Sequence, residues 1–350
     1  MGEFALINRF FKDICPRAQA LDHPQALGIG DDAAVLAPVP AGHQVVVTTD
    51  TLVEGRHYWA DVDPQALGHK VLAVNLSDLA AMGAQPWAFT LSVSLRSPRP
   101  QWLTAFVAGM SALAEEAQIA LVGGDTVGLG TDAASPESFT VTALGLVPMG
   151  QALRRDGLAP GDCLWVSGTL GDGQAAVAQR VFAEKLLWPQ PRLALGQALR
   201  GLAHAAIDIS DGLSSELGHM VRASRTRAQA SGTSAGLYAE ISLLSLLDCL
   251  GSLVRAAMTD EGLDPLQACR QAAASGDEYE LLFAAPETAS AEIMRLGRAL
   301  DLPLTVIGRV CSAAGPVPQA EPVVWIDAQG RRLAPDLAPA AGFDHFSVQP

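Results

Sequence analysis

The hydrophobic pattern of this chain changes period repeatedly, from two residues to roughly 3.6 and back, along nearly its whole length. That alternation excludes an all-helix or all-strand fold and predicts a mixed α/β (α+β) protein. Residues 44–50 (QVVVTTD) are short and β-branched, as a strand should be. Pro64 then opens a helix to residue 82, with Leu67, Val71, Val74 and Leu79 near one face. Residues 88–95 alternate like a strand, 101–118 read as a helix, and 119–122 form a short buried strand ending at Gly123-Gly124-Asp125. Residues 138–147 are a longer strand of antiparallel type. A break falls at 148–150, which divides the chain into domains 1–148 and 149–350, in keeping with its length of 350 residues. Past the break, 163–167, 206–209, 279–283 and 304–307 read as strands, with helices starting near 172 and 213 and another before 304. Residues 131–138 and 224–236, rich in Ser, Thr, Ala and Gly, read as surface loops. The apolar stretch 241–258 carries Asp248 and Arg255, which makes it a core helix rather than a membrane span.

Charge narrows the partners. With 23 basic and 37 acidic residues the formal charge is −14, which repels phosphate backbones and anionic bilayers. Neither nucleic acid nor membrane is expected as a partner. Five dispersed cysteines without a CxxC pair argue against a disulfide framework or a zinc site. Glu3 and Asp13 interrupt any signal-peptide pattern at the start, and Leu6 stands where a myristoylation signal needs Ser or Thr. The expected compartment is the cytoplasm.

The chemistry-bearing residues collect at strand ends and glycine turns. Asp31 and Asp32 lie in GIGDDAAV, Asp50 in VVTTDTLVEG and Asp78 in VNLSDLAAMG. Asp125 lies in LVGGDTVG, and Asp208 and Asp211 lie in AIDISDG. Any one such Asp-Gly pair is ordinarily a plain turn, but five loops of one design are harder to dismiss. Carboxylates beside the hydroxyls of Thr48, Thr49, Ser77 and Ser210 are hard oxygen donors of the kind Mg²⁺ takes, together with water and phosphate. The chain has no GxxxxGK[ST] loop, no HRD or DFG and no HExxH. GIGDDA lacks the third glycine of a dinucleotide fingerprint. What remains is carboxylate–Mg²⁺ chemistry on a phosphate, where positioning and charge neutralisation do most of the catalysis.

GIGDDAAVL, TTDTLVEGRH, LAVNLSDLAAMGA, LVGGDT, AIDISDGL and the terminal GFDHF occur in the order seen in the thiamine-monophosphate kinase family, which the chain resembles from about residue 3 to 346. That family belongs to the aminoimidazole ribonucleotide synthetase superfamily. The resemblance implies a two-domain fold whose N-terminal domains pair into a β-barrel across a homodimer. It implies that the N-terminal domain binds ATP and Mg²⁺, that the C-terminal domain completes the site, and that thiamine monophosphate is phosphorylated to thiamine diphosphate. By the same resemblance several Mg²⁺ ions are held by Asp32, Thr48, Thr49, Asp50, Asp78, Asp125, Asp208 and Asp211, with Asp31 adjacent. Of these, Asp32, Asp50, Asp78, Asp125 and Asp211 are the implied catalytic acids. Gly124, Asp125, Arg155 and Ser210 match contacts to ATP, and His57, Asp277 and Phe343 match contacts to the thiamine substrate.

Three features depart from the family. Its G-G-E-D-Y-E is here Ser275-Gly276-Asp277-Glu278-Tyr279-Glu280, so the two acids are exchanged. Its G-[YW]-D-H-F aromatic is Phe343, which keeps a stacking face and loses a hydroxyl. The segment 128–138, near the ATP motif, is longer than usual. Two alternatives to a kinase stay open at this level: a superfamily enzyme that makes an acyl- or amide-phosphate, and a non-catalytic Mg²⁺–nucleotide binding module.

Overall fold

The structure is a computed structural model that describes residues 2–130, 135–232, 236–313, 321–327, 329–340 and 342. Its chain divides into two compact units. The first holds Met1–Leu79, Ala84–Gln151 and Leu187–Leu193; the second holds Ala80–Gly83, Ala152–Leu186 and Ala194–Pro350.

The first unit is built on four strands: β1 (His43–Val53), β2 (Gln85–Leu95), β3 (Ala120–Gly128) and β4 (Ser138–Pro148). They lie in the order β1-β4-β2-β3, with β2 and β3 parallel and the other pairs antiparallel. The sheet is open, with β1 and β3 as its two edges. Strand β3 runs straight through Gly123-Gly124-Asp125, which corrects the expectation that it ends there. Helices α1 (Glu3–Phe10), α2 (Pro64–Ala81) and α3 (Pro100–Ala117) complete the unit. Alternate residues of β4 divide cleanly: Phe139, Val141 and Ala143 are buried, whereas Thr140, Thr142 and Leu144 are half-buried. Phe139 stacks on Phe106 of α3 with ring centroids 4.8 Å apart, and Phe106 stacks on Trp102 at 5.3 Å. On the opposite face Val45 and Val47 of β1 and Val127 of β3 are exposed.

The second unit carries a six-stranded sheet. Its strands are β5 (Asp162–Ser167), β6 (Ala205–Asp208), β7 (Gly236–Ser242), β8 (Leu281–Pro286), β9 (Leu304–Ala313) and β10 (Val323–Ile326). Their order is β10-β7-β9-β5-β8-β6, antiparallel except between β10 and β7. Its helices include α4 (Asp172–Gln179), α5 (Glu184–Leu187), α6 (Leu193–Ala198) and α7 (Leu213–Ala230). Further on come α8 (Ser252–Asp260), α9 (Pro265–Ala274) and α10 (Ser290–Ala299).

Two sequence expectations fail here. Helix α7 continues to Ala230, well into the segment 224–236 expected as a loop, because Ser224 and Val221 are still buried there. The stretch 241–258 is not one helix. It ends β7, makes a 3₁₀ turn over Leu243–Cys249 and restarts at Ser252. The restart has a clear cause: the buried Asp172 carboxylate accepts the backbone N–H of Ser252 (2.8 Å) and Leu253 (2.9 Å), capping α8 from the first turn of α4. Leu243, Leu246, Cys249 and Leu250 are nevertheless core residues. Among the described residues no helix is long and apolar enough to cross a membrane.

Candidate active site

In the first unit, the loop carrying Asp31 and Asp32 is pinched shut at its base by paired backbone bonds between Leu27 and Val35 (2.8 and 2.9 Å). Both acids are exposed at its tip, and Asp31 accepts the backbone N–H of Asp32 at 2.8 Å. Strand β1 then presents Thr48, Thr49 and Asp50 in succession, and the period of two separates them. Thr48 and Asp50 pair in register with the buried Ala143 and Val141, while Thr49 pairs with Thr142 on the other face. The Thr48 hydroxyl donates a short hydrogen bond to Oδ2 of Asp78 on helix α2. The Thr49 hydroxyl bonds the Val141 carbonyl and the Thr142 hydroxyl, each at 3.0 Å. Thr49 is therefore not brought together with Thr48 and Asp50. Asp125 sits on the edge strand in register with Ser92, exposed, its carboxylate accepting the N–H of Thr126 at 2.9 Å. Gly124 beside it has φ +154°, and a Cβ there would stand 1.9 Å from the Leu91 carbonyl oxygen, so only glycine fits.

His57 follows β1 in a tight turn. Its Nδ1 accepts the Val53 backbone N–H at 3.0 Å, which leaves Nε2 as the nitrogen that carries a proton. A charge cluster that sequence reading missed holds this turn. Arg96 donates to Glu54 (2.9 Å) and, through its backbone, to the buried Glu137 (3.0 Å), and Arg99 also pairs with Glu137. Hydrogen bonding from Arg96 holds the Glu54 carboxyl below its ordinary range. The Tyr58 hydroxyl bonds the Glu137 carbonyl at 2.9 Å. The group is drawn from three separate stretches, with Glu54 and Tyr58 on one, Arg96 and Arg99 on another and Glu137 on the third, so only folding reveals that they form one group.

In the second unit, the sequence AIDISDG runs off the end of β6. Asp208, buried, pairs with Leu281 of β8. The pairing continues past both strands: Ile209 N–H reaches the Glu280 carbonyl, Tyr279 N–H reaches Ile209, and Asp277 N–H reaches Ser210, each at 2.8 Å. This zipper brings Asp277 beside Ser210 and Asp211. Gly276 lies so close that a Cβ would be 2.8 Å from the Ser210 carbonyl oxygen. The carbonyl of Asp211 is in turn covered by Gly342, where a Cβ would be 1.9 Å away. Phe343 itself, and residues 131–134 of the long loop, lie outside the described residues.

Arg155 is exposed, and its neighbour Arg154 is committed to Asp156 through two bonds of 2.8 and 2.6 Å. Arg155 lies near helix α7. Burial, followed by the positive charges of Arg222 and Arg155, pushes the His219 imidazole below its ordinary range, and the Asp211 charge pulls it back. Arg155 and Asp211 thus share one neighbourhood.

The segment 275–280 is unusual in its backbone. Asp277 (φ +58°) and Tyr279 (φ +51°) both occupy the left-handed region, which bulky residues seldom enter and which costs about 1–3 kcal/mol per residue. Between them Glu278 is fully buried. Its Oε1 accepts the N–H of Gly171 (2.7 Å) and Gly173 (3.2 Å) and the Ser275 hydroxyl (2.6 Å), while Oε2 has no hydrogen-bond partner among the described residues. Burial pushes its carboxyl up to about 7, against the opposing pull of the Lys185 charge. Glu280, also buried, pairs with Lys185 and accepts the Ser167 hydroxyl at 2.6 Å.

Among the described residues no three of His, Cys, Asp and Glu gather into a ready-made metal cage. Asp78 instead shares a hydrogen bond with the Thr48 hydroxyl. That donor set suits Mg²⁺, which takes one or two carboxylates and fills its remaining positions with water and phosphate oxygens.

The α/β sheet unit that carries these acids is also the part of the chain that places it in a class of proteins. Residues 30–147 match the family model described as AIR synthase related protein, N-terminal domain. The chain is 38% identical over 365 residues to the thiamine-monophosphate kinase of Escherichia coli K12, covering 99% of both. The crystal structure of thiamine-monophosphate kinase from Stenotrophomonas maltophilia is 40% identical, with TM-score 0.74 over 92% of this chain and 98% of that one. AaThiL complexed with AMPPCP and TMP is 26% identical, with TM-score 0.69 over 99% and 97%. The hydrogenase maturation protein HypE of E. coli, 22% identical at TM-score 0.70 over 97% of this chain and 99% of that one, shares the fold alone. The chain belongs to the thiamine-monophosphate kinase family.

Proposed function

We propose that this enzyme transfers the γ-phosphoryl group of ATP to the phosphate of thiamine monophosphate in the cytoplasm, giving ADP and thiamine diphosphate by direct in-line displacement. The observation that carries the reading is full-length likeness to kinases of that activity, one of them complexed with AMPPCP and TMP. An acceptor phosphate has a second pKa near 6, so it is largely a dianion at neutral pH and needs no strong general base. The work left to the protein is to hold two anions in line and offset their charge.

Bound Mg²⁺ supplies that charge neutralisation. Within the first unit Asp32, Thr48, Asp50, Asp78 and Asp125 would serve as its ligands, and within the second unit Asp208 and Asp211 would. Thr49, turned to the other face of β1, lies on the face of the sheet that the register also gives to Asp125. Gly124 and Asp125, and separately Arg155 and Ser210, are the ATP contacts in this reading; His57, Asp277 and Phe343 meet the thiamine substrate. His57 acts as a donor from Nε2. With Nδ1 occupied by a backbone amide, the ring is oriented for a hydrogen bond and not for a phosphohistidine on that nitrogen.

Domains bounded at 148/149 carry this division of labour. The exposed Val45, Val47 and Val127, on a sheet with two open edges, support pairing with a second copy into a β-barrel across a homodimer. The test is ADP release with thiamine monophosphate, with free thiamine and with neither. Release that depends on thiamine monophosphate alone is the expected result; release indifferent to the acceptor refutes the reading.

A further inference from the structure

The turn Ser275–Glu280 combines two features that seldom occur together without a use. Asp277 and Tyr279 both hold left-handed backbone conformations that glycine would adopt without strain, and glycine already stands next to them at 276. Their side chains meet: the Tyr279 hydroxyl donates to Asp277 Oδ1 at 2.8 Å. The turn is not soft. Glu278, between them, is buried and anchored to the amides of Gly171 and Gly173 and to the Ser275 hydroxyl, and the backbone on both sides is zipped to Ile209 and Ser210. A chain that needed only the bend would lose nothing by placing glycine at 277 or 279. A chain that needs a carboxylate held in one plane has reason to keep both.

We propose that Tyr279 is a positioning residue that acts through Asp277: its hydroxyl fixes the plane of the Asp277 carboxylate, so that this acid is pre-oriented to accept a hydrogen bond from the amino group of the substrate's aminopyrimidine ring. The proposal rests on the reading of Asp277 as the thiamine contact. It also accounts for the exchanged acids of this chain. Glu278, longer by a methylene, is the residue that spans to the amides of the 171–173 loop, and the shorter Asp277 is aimed by a neighbour rather than by its own reach.

The experiment is a double-mutant cycle with two acceptors. Tyr279→Phe, Asp277→Ala and the double variant are assayed with thiamine monophosphate and with its analogue in which a carbonyl replaces the pyrimidine amino group. Tyr279→Phe should raise KM for thiamine monophosphate by ~10-fold with kcat little changed, and should leave kinetics on the analogue and KM for ATP nearly as in wild type. In the Asp277→Ala background, Tyr279→Phe should have no further effect, because the group it acts through is gone. Equal losses on both acceptors, or losses that multiply in the double variant, would mean that Tyr279 merely supports the fold and would overturn the proposal. Wild-type enzyme that shows no preference between the two acceptors would overturn it by a different route, since Asp277 would then not meet the amino group. Should Tyr279→Phe fold poorly by circular dichroism, Asp277→Asn serves in its place. It keeps an acceptor for the tyrosine, and it should lose preference for the amino acceptor while its melting temperature is held; an unchanged preference would again overturn the proposal.

Discussion

Replacing Glu278 by Gln should alter how stability responds to pH more than it alters stability at any one pH. The wild-type carboxyl is fully buried and is pushed from an ordinary 4.5 to about 7. An acid whose pKa is raised on folding binds its proton more tightly when folded. Its contribution to stability is therefore fully present below about 4.5 and is lost as pH rises toward 7. At 1.36 kcal/mol per unit, the whole displacement corresponds to about 3 kcal/mol, of which about 2 kcal/mol falls between pH 5.5 and pH 8. Gln keeps a carbonyl oxygen for the amides of Gly171 and Gly173 and the Ser275 hydroxyl, but it does not titrate. Its amide nitrogen occupies the place of the unpartnered Oε2, a fixed cost of roughly 1–3 kcal/mol that shifts the curve without tilting it. Urea denaturation of both proteins from pH 5.5 to 8, followed by tryptophan fluorescence and by circular dichroism with coincident transitions, gives the two profiles. The wild-type value should fall relative to the Gln variant by about 2 kcal/mol and then level off above pH 7. Parallel profiles would refute the reasoning, because they would mean that the carboxyl is not desolvated as its surroundings require.

Asp78→Asn keeps an acceptor for the Thr48 hydroxyl, so it should cost no more than about 1 kcal/mol of stability while turnover falls ~10²–10³-fold through lost charge; melting curves alongside kcat measurements check both halves. His57→Ala should mainly raise KM for thiamine monophosphate and leave an active enzyme with sequential initial-rate kinetics, and a parallel-line pattern would argue for a covalent intermediate. Arg96→Met leaves Glu54 short of its guanidinium partner, while Glu137 keeps the backbone N–H of residue 96 and Arg99; we expect it to lower stability by about 1–3 kcal/mol and to raise KM for thiamine monophosphate, as read by thermal melts and by kinetics. Lower stability with unchanged KM would detach that cluster from the His57 turn.

Much of this molecule was readable before any coordinates, and the parts that were not share a cause. Strands β1, β2 and β4 and helices α2 and α3 follow from β-branched runs, alternation and helical spacing in the sequence. The stretch 241–258 misled because a continuous apolar run does not reveal that a distant acid, Asp172, will restart the helix at Ser252. Strand β3 passes through Gly123-Gly124-Asp125 despite its turn composition, and Gly124 is demanded there by the close passage of β2. At the site, the acids can be picked out one by one from their motifs, although Asp50 and Asp125 lie within strands and Asp78 within helix α2 rather than on turns. Which face of β1 each hydroxyl takes follows from the period of two only after the register with β4 is known. The Arg96–Glu54–Glu137 cluster and the Tyr279–Asp277 bond depend on long-range pairing or on two left-handed residues, and neither leaves a sequence signal.

The central claim is that a phosphoryl group passes straight from ATP to an existing phosphate. Its most direct measurement follows the label from [γ-³²P]ATP incubated with the purified enzyme, Mg²⁺ and either thiamine monophosphate or free thiamine. The account predicts that label appears in thiamine diphosphate in a one-to-one ratio with ADP, that free thiamine remains unlabelled, and that no label stays on the protein when the acceptor is omitted. Phosphorylation of free thiamine at a comparable rate, or ³²P held covalently by the enzyme after incubation with ATP alone, would contradict it.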